Sequence, residues 1–94
     1  MNTSYNVATV FKSLGEETRL SIVRVLAREG GEANSRDIIV DCSVALKLSQ
    51  PTMSHHFQTL VGAGVILERK VGVEKFYRLN KELFKTIGVN ARKI

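Results

Sequence analysis

Leu48-Ser49-Gln50-Pro51-Thr52-Met53-Ser54-His55-His56-Phe57-Gln58-Thr59-Leu60 reads as a capped helix with one apolar face and one hydrogen-bonding face. Ser49 is a good N-cap, because its hydroxyl can accept from an amide of the first turn, and Pro51 fits that turn because its amides lack acceptors anyway. Met53, Phe57, Leu60 and Val61 recur at i, i+4, i+7, i+8, the repeat of a helix face turned to a core. At about 100° per residue, Thr52, His55, Gln58 and Thr59 project away from that stripe, with Gln50 and Ser54 near its exposed N-terminal end. Side chains of this kind can read base edges.

Upstream, Val7, Val10, Phe11 and Leu14 form a short helical stripe, and Gly15 is expected to close that helix in a left-handed conformation. A second helix is predicted over Glu16 to Arg28, with Leu20, Val23 and Leu26 as its inner face and Gly30-Gly31 as its stop. Ser35 is the expected N-cap of a third, with Asp37 in its first turn and Ile38, Ile39, Cys42, Ala45 and Leu46 as its stripe. Lys47-Leu48 then turns into the Ser49 helix. Two helices about three residues apart, the second polar near its N-terminus, make a helix-turn-helix.

Downstream, Gly62-Ala63-Gly64 ends the helix. Val65 to Val71 and Glu74 to Leu79, rich in β-branched and aromatic residues around Gly72-Val73, read as a hairpin, the wing. Asn80 caps a last helix carrying Leu83, Phe84 and Ile87, before Gly88 and the basic tail Arg92-Lys93. The expected fold is mainly α (α+β): one winged helix-turn-helix domain over 1–94, with about five helices and a two-stranded wing.

Length and composition agree with a small regulatory module. A chain of 94 residues has little surface for an enclosed active site, and 44% hydrophobic with 24% charged content is that of a soluble globular protein. No apolar run approaches the roughly 20 residues that span a bilayer, and Met1 to Asn6 lacks the basic flank and apolar core of a secretory signal. A cytoplasmic, nucleoid-associated location is therefore expected. The net charge of +5 favours a polyanionic partner. Lys47, Arg69, Lys70, Lys75 and Arg78 lie around the polar helix and wing, whereas Glu16, Glu17, Glu29 and Glu32 fall in the N-terminal third.

Catalysis and metal binding are not expected. The chain has no Gly-rich phosphate loop, no GxSxG-type elbow and no paired carboxylates in an apolar context. His55 and His56 diverge by about 100° on a helix and have no acid within a turn, so they suit neither zinc nor acid–base work. His55 points outward to a base edge or phosphate, and His56 lies on the flank, placed to hydrogen-bond within the fold. Cys42 sits on an apolar stripe and reads as a small buried hydrophobe, with a redox or thiol-reactive switch as the alternative. Arg24, Arg28 and Arg36 read as solvated or dimer-facing.

Four strings in order resemble the ArsR/SmtB-type winged-helix transcriptional regulators of bacteria and archaea. They are Phe11-Lys12-Ser13-Leu14-Gly15 with Glu17-Thr18-Arg19-Leu20-Ser21-Ile22, Leu48 to Phe57, Leu60 to Ile66, and Arg69-Lys70-Val71-Gly72 with Phe76-Tyr77-Arg78-Leu79. The resemblance implies a homodimer built on the first and last helices, through Val7, Val10, Phe11, Leu83, Phe84 and Ile87. It implies recognition of double-stranded DNA by the Ser49 helix (Ser49, Gln50, Thr52, Ser54, His55, Gln58), with Lys47, Arg69, Lys70, Lys75 and Arg78 meeting phosphates. It also implies repression relieved by an inducer; such a dimer would offer two copies of the Ser49 helix to successive major grooves, about 34 to 36 Å apart, so an imperfectly palindromic operator is expected. At Arg19 it implies an ion-pair or capping role.

Many members of that family sense metal through a Cys-x-Cys pair before the recognition helix. Counting back from Leu48-Ser49-Gln50, those positions hold Ile38 and Val40, and Asn80 to Ile94 contains no His, Asp or Cys for a site on the last helix. The expected signal is therefore not a metal, no cofactor is expected, and the inducer is left unnamed. Two other readings stay open: a winged helix that grips another protein, and a repressor that senses oxidants through Cys42.

Overall fold

A computed structural model describes residues 5–46 and 49–94, without the side chains of residues 43–46 and 50. Its elements run α1 (Val7–Leu14), α2 (Glu17–Glu29), β1 (Ala33–Asn34), α3 (Ser35–Leu46), α4 (Gln50–Gly62), β2 (Ile66–Val71), β3 (Glu74–Leu79), α5 (Lys81–Ile87) and a closing 3-10 turn, Ala91–Lys93. The expected five helices and hairpin are present. The Lys47-Leu48 turn and the inward placement of Ala45 and Leu46 fall outside the described residues.

The helix ends show which local signals act. Asn6, Ser49 and Asn80 each cap a helix by accepting from the amide three residues on. Glu16 is the cap of α2 rather than its first residue: its carboxylate accepts from the Arg19 amide at 3.0 Å. At α3 the cap shifts from the expected Ser35 to Asn34, whose Oδ1 accepts from the Arg36 amide at 2.8 Å. Gly15 ends α1 at φ −82°, not in the left-handed region expected of it. The left-handed stops are Gly30, at φ 76°, Gly64 after α4, at φ 83°, and Gly88, at φ 74°.

The sheet has three strands in the order β1-β3-β2, all antiparallel. The strand beyond the expected hairpin is β1, two residues that pair Ala33 with Tyr77 and Asn34 with Phe76. It joins the wing to the helical body just before α3 begins.

One apolar core runs through every layer, built on Val10, Ile22, Val23, Leu26, Ile38, Met53, Phe57, Leu60, Ile66, Tyr77 and Leu83. Helix α2 is its axis and packs against α1, α3, α4, β3 and the closing turn. That position explains a departure from the expected face. Ile22, Val25 and Ala27 are buried along with Val23 and Leu26, and Leu20 is only half-buried, because a helix covered on several sides needs a wider apolar surface than one stripe.

Candidate nucleic-acid interface

The outward face of α4 is built as its sequence pattern requires. Met53, Phe57 and Leu60 are buried, while Thr52, Ser54, His55 and Gln58 are exposed and Thr59 is half-buried. The side chain of Gln50 and all of Lys47 fall outside the described residues. Ser49 is committed to its cap: its Oγ accepts from the Thr52 amide at 3.4 Å and lies 2.9 Å from Thr52 Oγ1. Thr59 is occupied as well, donating to the His55 carbonyl at 3.1 Å. That leaves Ser54, His55 and Gln58 as the least committed polar side chains on the described face.

Phe57 fixes where this face sits relative to the wing. Its ring stacks on Tyr77 of β3, with centroids 4.4 Å apart and planes 6° from parallel. The Tyr77 hydroxyl donates to Glu68 Oε2 at 2.9 Å, and burial, helped by that carboxylate, raises the phenol's pKa. Lys75 Nζ reaches the same oxygen at 3.5 Å. The Gln58 amide approaches it at 3.5 Å, at the limit of a hydrogen bond, so little is lost when Gln58 turns to another partner.

The strand register sorts the wing's cations into two groups. Partners across an antiparallel pair share a face, and neighbours along a strand alternate. Lys70 opposite Lys75 and Glu68 opposite Tyr77 therefore lie on the face that meets α4, whereas Arg69 opposite Phe76 and Arg78 opposite Leu67 lie on the other. Arg69 is also engaged. Its guanidinium donates to both Glu32 oxygens, at 2.8 and 2.7 Å, and lies 4.8 Å from the centre of the Phe76 ring. The hydrogen bond from Arg69 holds the Glu32 carboxyl below its usual range. Lys70 and Arg78 are exposed and form no ion pair among the described residues.

The two histidines part as their spacing predicts. His55 is exposed; His56 is half-buried, its ring tilted 58° to that of His55. His56 Nδ1 lies 3.0 Å from Arg19 Nη1, and since a guanidinium only donates, Nδ1 accepts and the ring is neutral with its proton on Nε2. Burial lowers its pKa, Glu16 at 3.7 Å opposes that, and Arg19 and His55 reinforce it. Arg19 Nε also donates to the Ser13 carbonyl at 2.6 Å. One side chain thus closes the end of α1, in keeping with the ion-pair or capping role that the resemblance implies, and also braces α4 through His56, which that role does not include. The only local hint was Glu16, three residues before Arg19.

The remaining candidates are placed as follows. Val7 and Phe11 are exposed and Ile87 is half-buried, but Val10, Leu83 and Phe84 are buried in the chain's own core. Cys42 is 2% exposed, and burial, with Asp41 beside it, pushes its thiol up to about 11. Arg36 pairs with Glu74 at 3.1 Å, and Arg24 Nε donates to the Ile94 carbonyl at 2.7 Å. Ile38 is buried and Val40 exposed, and neither carries a ligating atom, so a Cys-x-Cys-type soft-metal site does not fit here. Among the described residues no helix is long and apolar enough to cross a membrane.

A model of bacterial regulatory proteins of the arsR family matches residues 16–67, from the cap of α2 into β2. The chain is 39% identical over 80 residues to an uncharacterized helix-turn-helix-type transcriptional regulator of Methanocaldococcus jannaschii, covering 85% of this chain and 84% of that protein. It is 40% identical over 74 residues to the arsenical resistance operon repressor of Escherichia coli, covering 79% of this chain but only 59% of the repressor. Among solved structures, a homodimeric winged helix-turn-helix DNA-binding domain from Mycobacterium bovis matches with a TM-score of 0.65 and 29% identity, over 87% of this chain and 74% of that one.

Proposed function

Because the chain belongs to the arsR family of bacterial regulatory proteins, we propose that it is a homodimeric repressor that binds double-stranded DNA through α4 and is released by a non-metal signal. The observation that carries this is the Phe57–Tyr77 stack, which holds the exposed polar face of α4 beside a wing whose near side presents Lys70 and Lys75. A reader of DNA needs those two surfaces together. A protein-binding adaptor does not.

In this reading the N-terminal half of α4 enters the major groove. His55 and Ser54 meet base edges or phosphate, Gln50 or Gln58 contacts adenine, and Thr52 offers its methyl to thymine. Lys70 and Lys75, and Lys47 before α4, contact phosphates and add affinity without sequence information. Arg69 and Arg78 face away from α4 and contribute mainly to the surrounding field. Phosphate attraction sets the approach of the protein, and the α4 side chains set the sequence.

Dimerisation places two α4 helices in successive major grooves, about 34 to 36 Å apart, so the operator is an imperfect palindrome. The homodimeric Mycobacterium bovis domain supports this assembly, as do Val7 and Phe11, two large apolar side chains left half exposed on α1. With Val10, Leu83 and Phe84 already buried in the core, Val7 and Phe11 carry most of the contact. The protein works inside the cell, on the nucleoid.

Fluorescence anisotropy with a selected operator tests the recognition surface. His55→Ala and Gln58→Ala should each cost about 1–3 kcal/mol on the operator and almost nothing on scrambled DNA. Unchanged operator affinity in both variants would remove α4 from the reading.

A further inference from the structure

Away from α4 the chain carries a second concentration of positive charge, which the wing does not account for. A cavity of about 550 Å³ opens between the end of α2, β3, α5 and the closing turn. Its apolar walls come from Leu26, Leu79, Phe84 and Val89, and Gly30 and Gly31 leave one side clear of any side chain. Exposed Arg78, Lys81, Lys85 and Arg92 stand around it, and no carboxylate lines it among the described residues. Lys81 Nζ donates to the Gly30 carbonyl at 3.0 Å, covering the end of α2 that would otherwise repel an anion. A smaller depression of about 310 Å³ shares Ala27, Ala91 and Arg92 with it and adds Arg24, Arg28 and Ile94, with no Asp or Glu side chain in its lining and with Arg24 already donating to the Ile94 main-chain oxygen at 2.7 Å.

We propose that this cavity binds a small molecule with an apolar, ring-sized body and a carboxylate or other single anionic group. The volume lies within the range of ligand sites, roughly 300–1,000 Å³, and combines apolar walls with a few charged groups of one sign. Placed there, the body would cover Leu79 and Phe84, and the anion would meet Lys85, Arg92 and Arg78. Glu32 feels the charge of Arg78 but lies outside the lining, and Lys85 and Arg92 pair with no acidic side chain among the described residues, unlike Arg69 and Lys75 on the wing. No residue of α4 lines it, so filling it needs no DNA.

The test is a titration of the 15N-labelled full chain with 2-naphthoate, followed by amide chemical shifts, with 2-naphthylmethanol as the neutral counterpart and inorganic phosphate as the bare anion. Naphthoate should shift the amides of Gly30, Gly31, Leu79, Phe84 and Ala91 saturably, with a Kd of about a millimolar for so small a probe. The alcohol should bind several-fold more weakly and phosphate should leave Leu79 and Phe84 unmoved. Lys85→Gln with Arg92→Gln, which removes only exposed side chains, should weaken naphthoate about fivefold with the spectrum otherwise unchanged. The proposal is overturned by the absence of saturable shifts, by equal binding of the alcohol, by no weakening in the double variant, or by shifts centred on α4 and the wing. Because every readout is on protein alone, its failure leaves the DNA-binding reading untouched, and the reverse.

Discussion

Replacing Arg19 with Met keeps the aliphatic stem but removes the clamp between α1 and α4. Two bonds are lost: Nε to the Ser13 carbonyl, at 2.6 Å, and Nη1 to His56 Nδ1, at 3.0 Å. A hydrogen bond with a charged partner contributes about 1.5–3 kcal/mol, and the half-buried setting of both bonds puts each near the low end. The sum is about 3 kcal/mol, which for a domain of this size lowers Tm by about 12–24 °C. Circular-dichroism melts at neutral pH measure it.

An NMR titration of His56 supplies a second arm with its own sign. Burial first, then Arg19 and His55, lower the His56 pKa from 6.5, while Glu16 raises it. The unfolded chain therefore binds more protons than the folded one just below pH 6.5, so the contribution to stability is complete above that value and is lost as pH falls through the lower, folded pKa. Arg19→Met leaves Glu16 in place, so His56 should titrate higher in the variant and the loss of stability on acidification should shrink. A Tm loss below about 2 °C, or a His56 pKa that stays put or falls, would refute the clamp.

Other substitutions probe other parts of the account. Lys70→Ala should lower affinity for all DNA sequences and flatten the slope of log K against log salt by about 0.9, read by anisotropy at several salt concentrations; an unchanged slope strikes Lys70 from the phosphate contacts. Cys42, buried with its thiol pushed up to about 11, should resist a disulfide reagent at pH 8 until the chain is unfolded. Rapid native labelling, or DNA binding that responds to oxidant and loses that response in Cys42→Ser, would restore the redox alternative. Val7→Asp with Phe11→Asp should leave the melting curve of dilute protein nearly unchanged but shift sedimentation to the monomer, since both side chains are half exposed in the single chain. A dimer that survives both changes places the interface elsewhere.

Much of this architecture was legible in the chain because the signals were local. The α4 reading held from cap to core, since Ser49, Pro51 and the Met53-Phe57-Leu60 repeat all act within one helix. The hairpin and the Asn80 cap were legible for the same reason. What escaped was set by tertiary neighbours. Strand β1 is two residues long and has no alternation to detect; it exists because β3, at Tyr77 and Phe76, offers Ala33 and Asn34 a partner edge. The burial of Ile22 and Val25 follows from α2 lying at the centre, and the cap at α3 moved to Asn34 because that residue also serves β1.

The interface shows the same division. Which α4 residues face outward follows from helical periodicity, and Thr52, Ser54, His55 and Gln58 are exposed accordingly. Which wing cations are available does not follow from their number in the sequence. Strand register turns Arg69 and Arg78 away from α4, and Glu32, 37 residues before Arg69, occupies its guanidinium. Of that basic cluster, Lys70 and Lys75 lie on the face beside α4, Arg69 is held by Glu32, and Arg78 alone reaches the cavity at the end of α2.

The central claim, that two α4 helices of a dimer read DNA, is tested most directly by selecting bound duplexes from a random pool with the purified chain at about physiological salt. An imperfect palindrome whose half-site centres lie about one helical turn, 10–10.5 base pairs, apart should be enriched. Retention of all sequences alike, or of none, would contradict it.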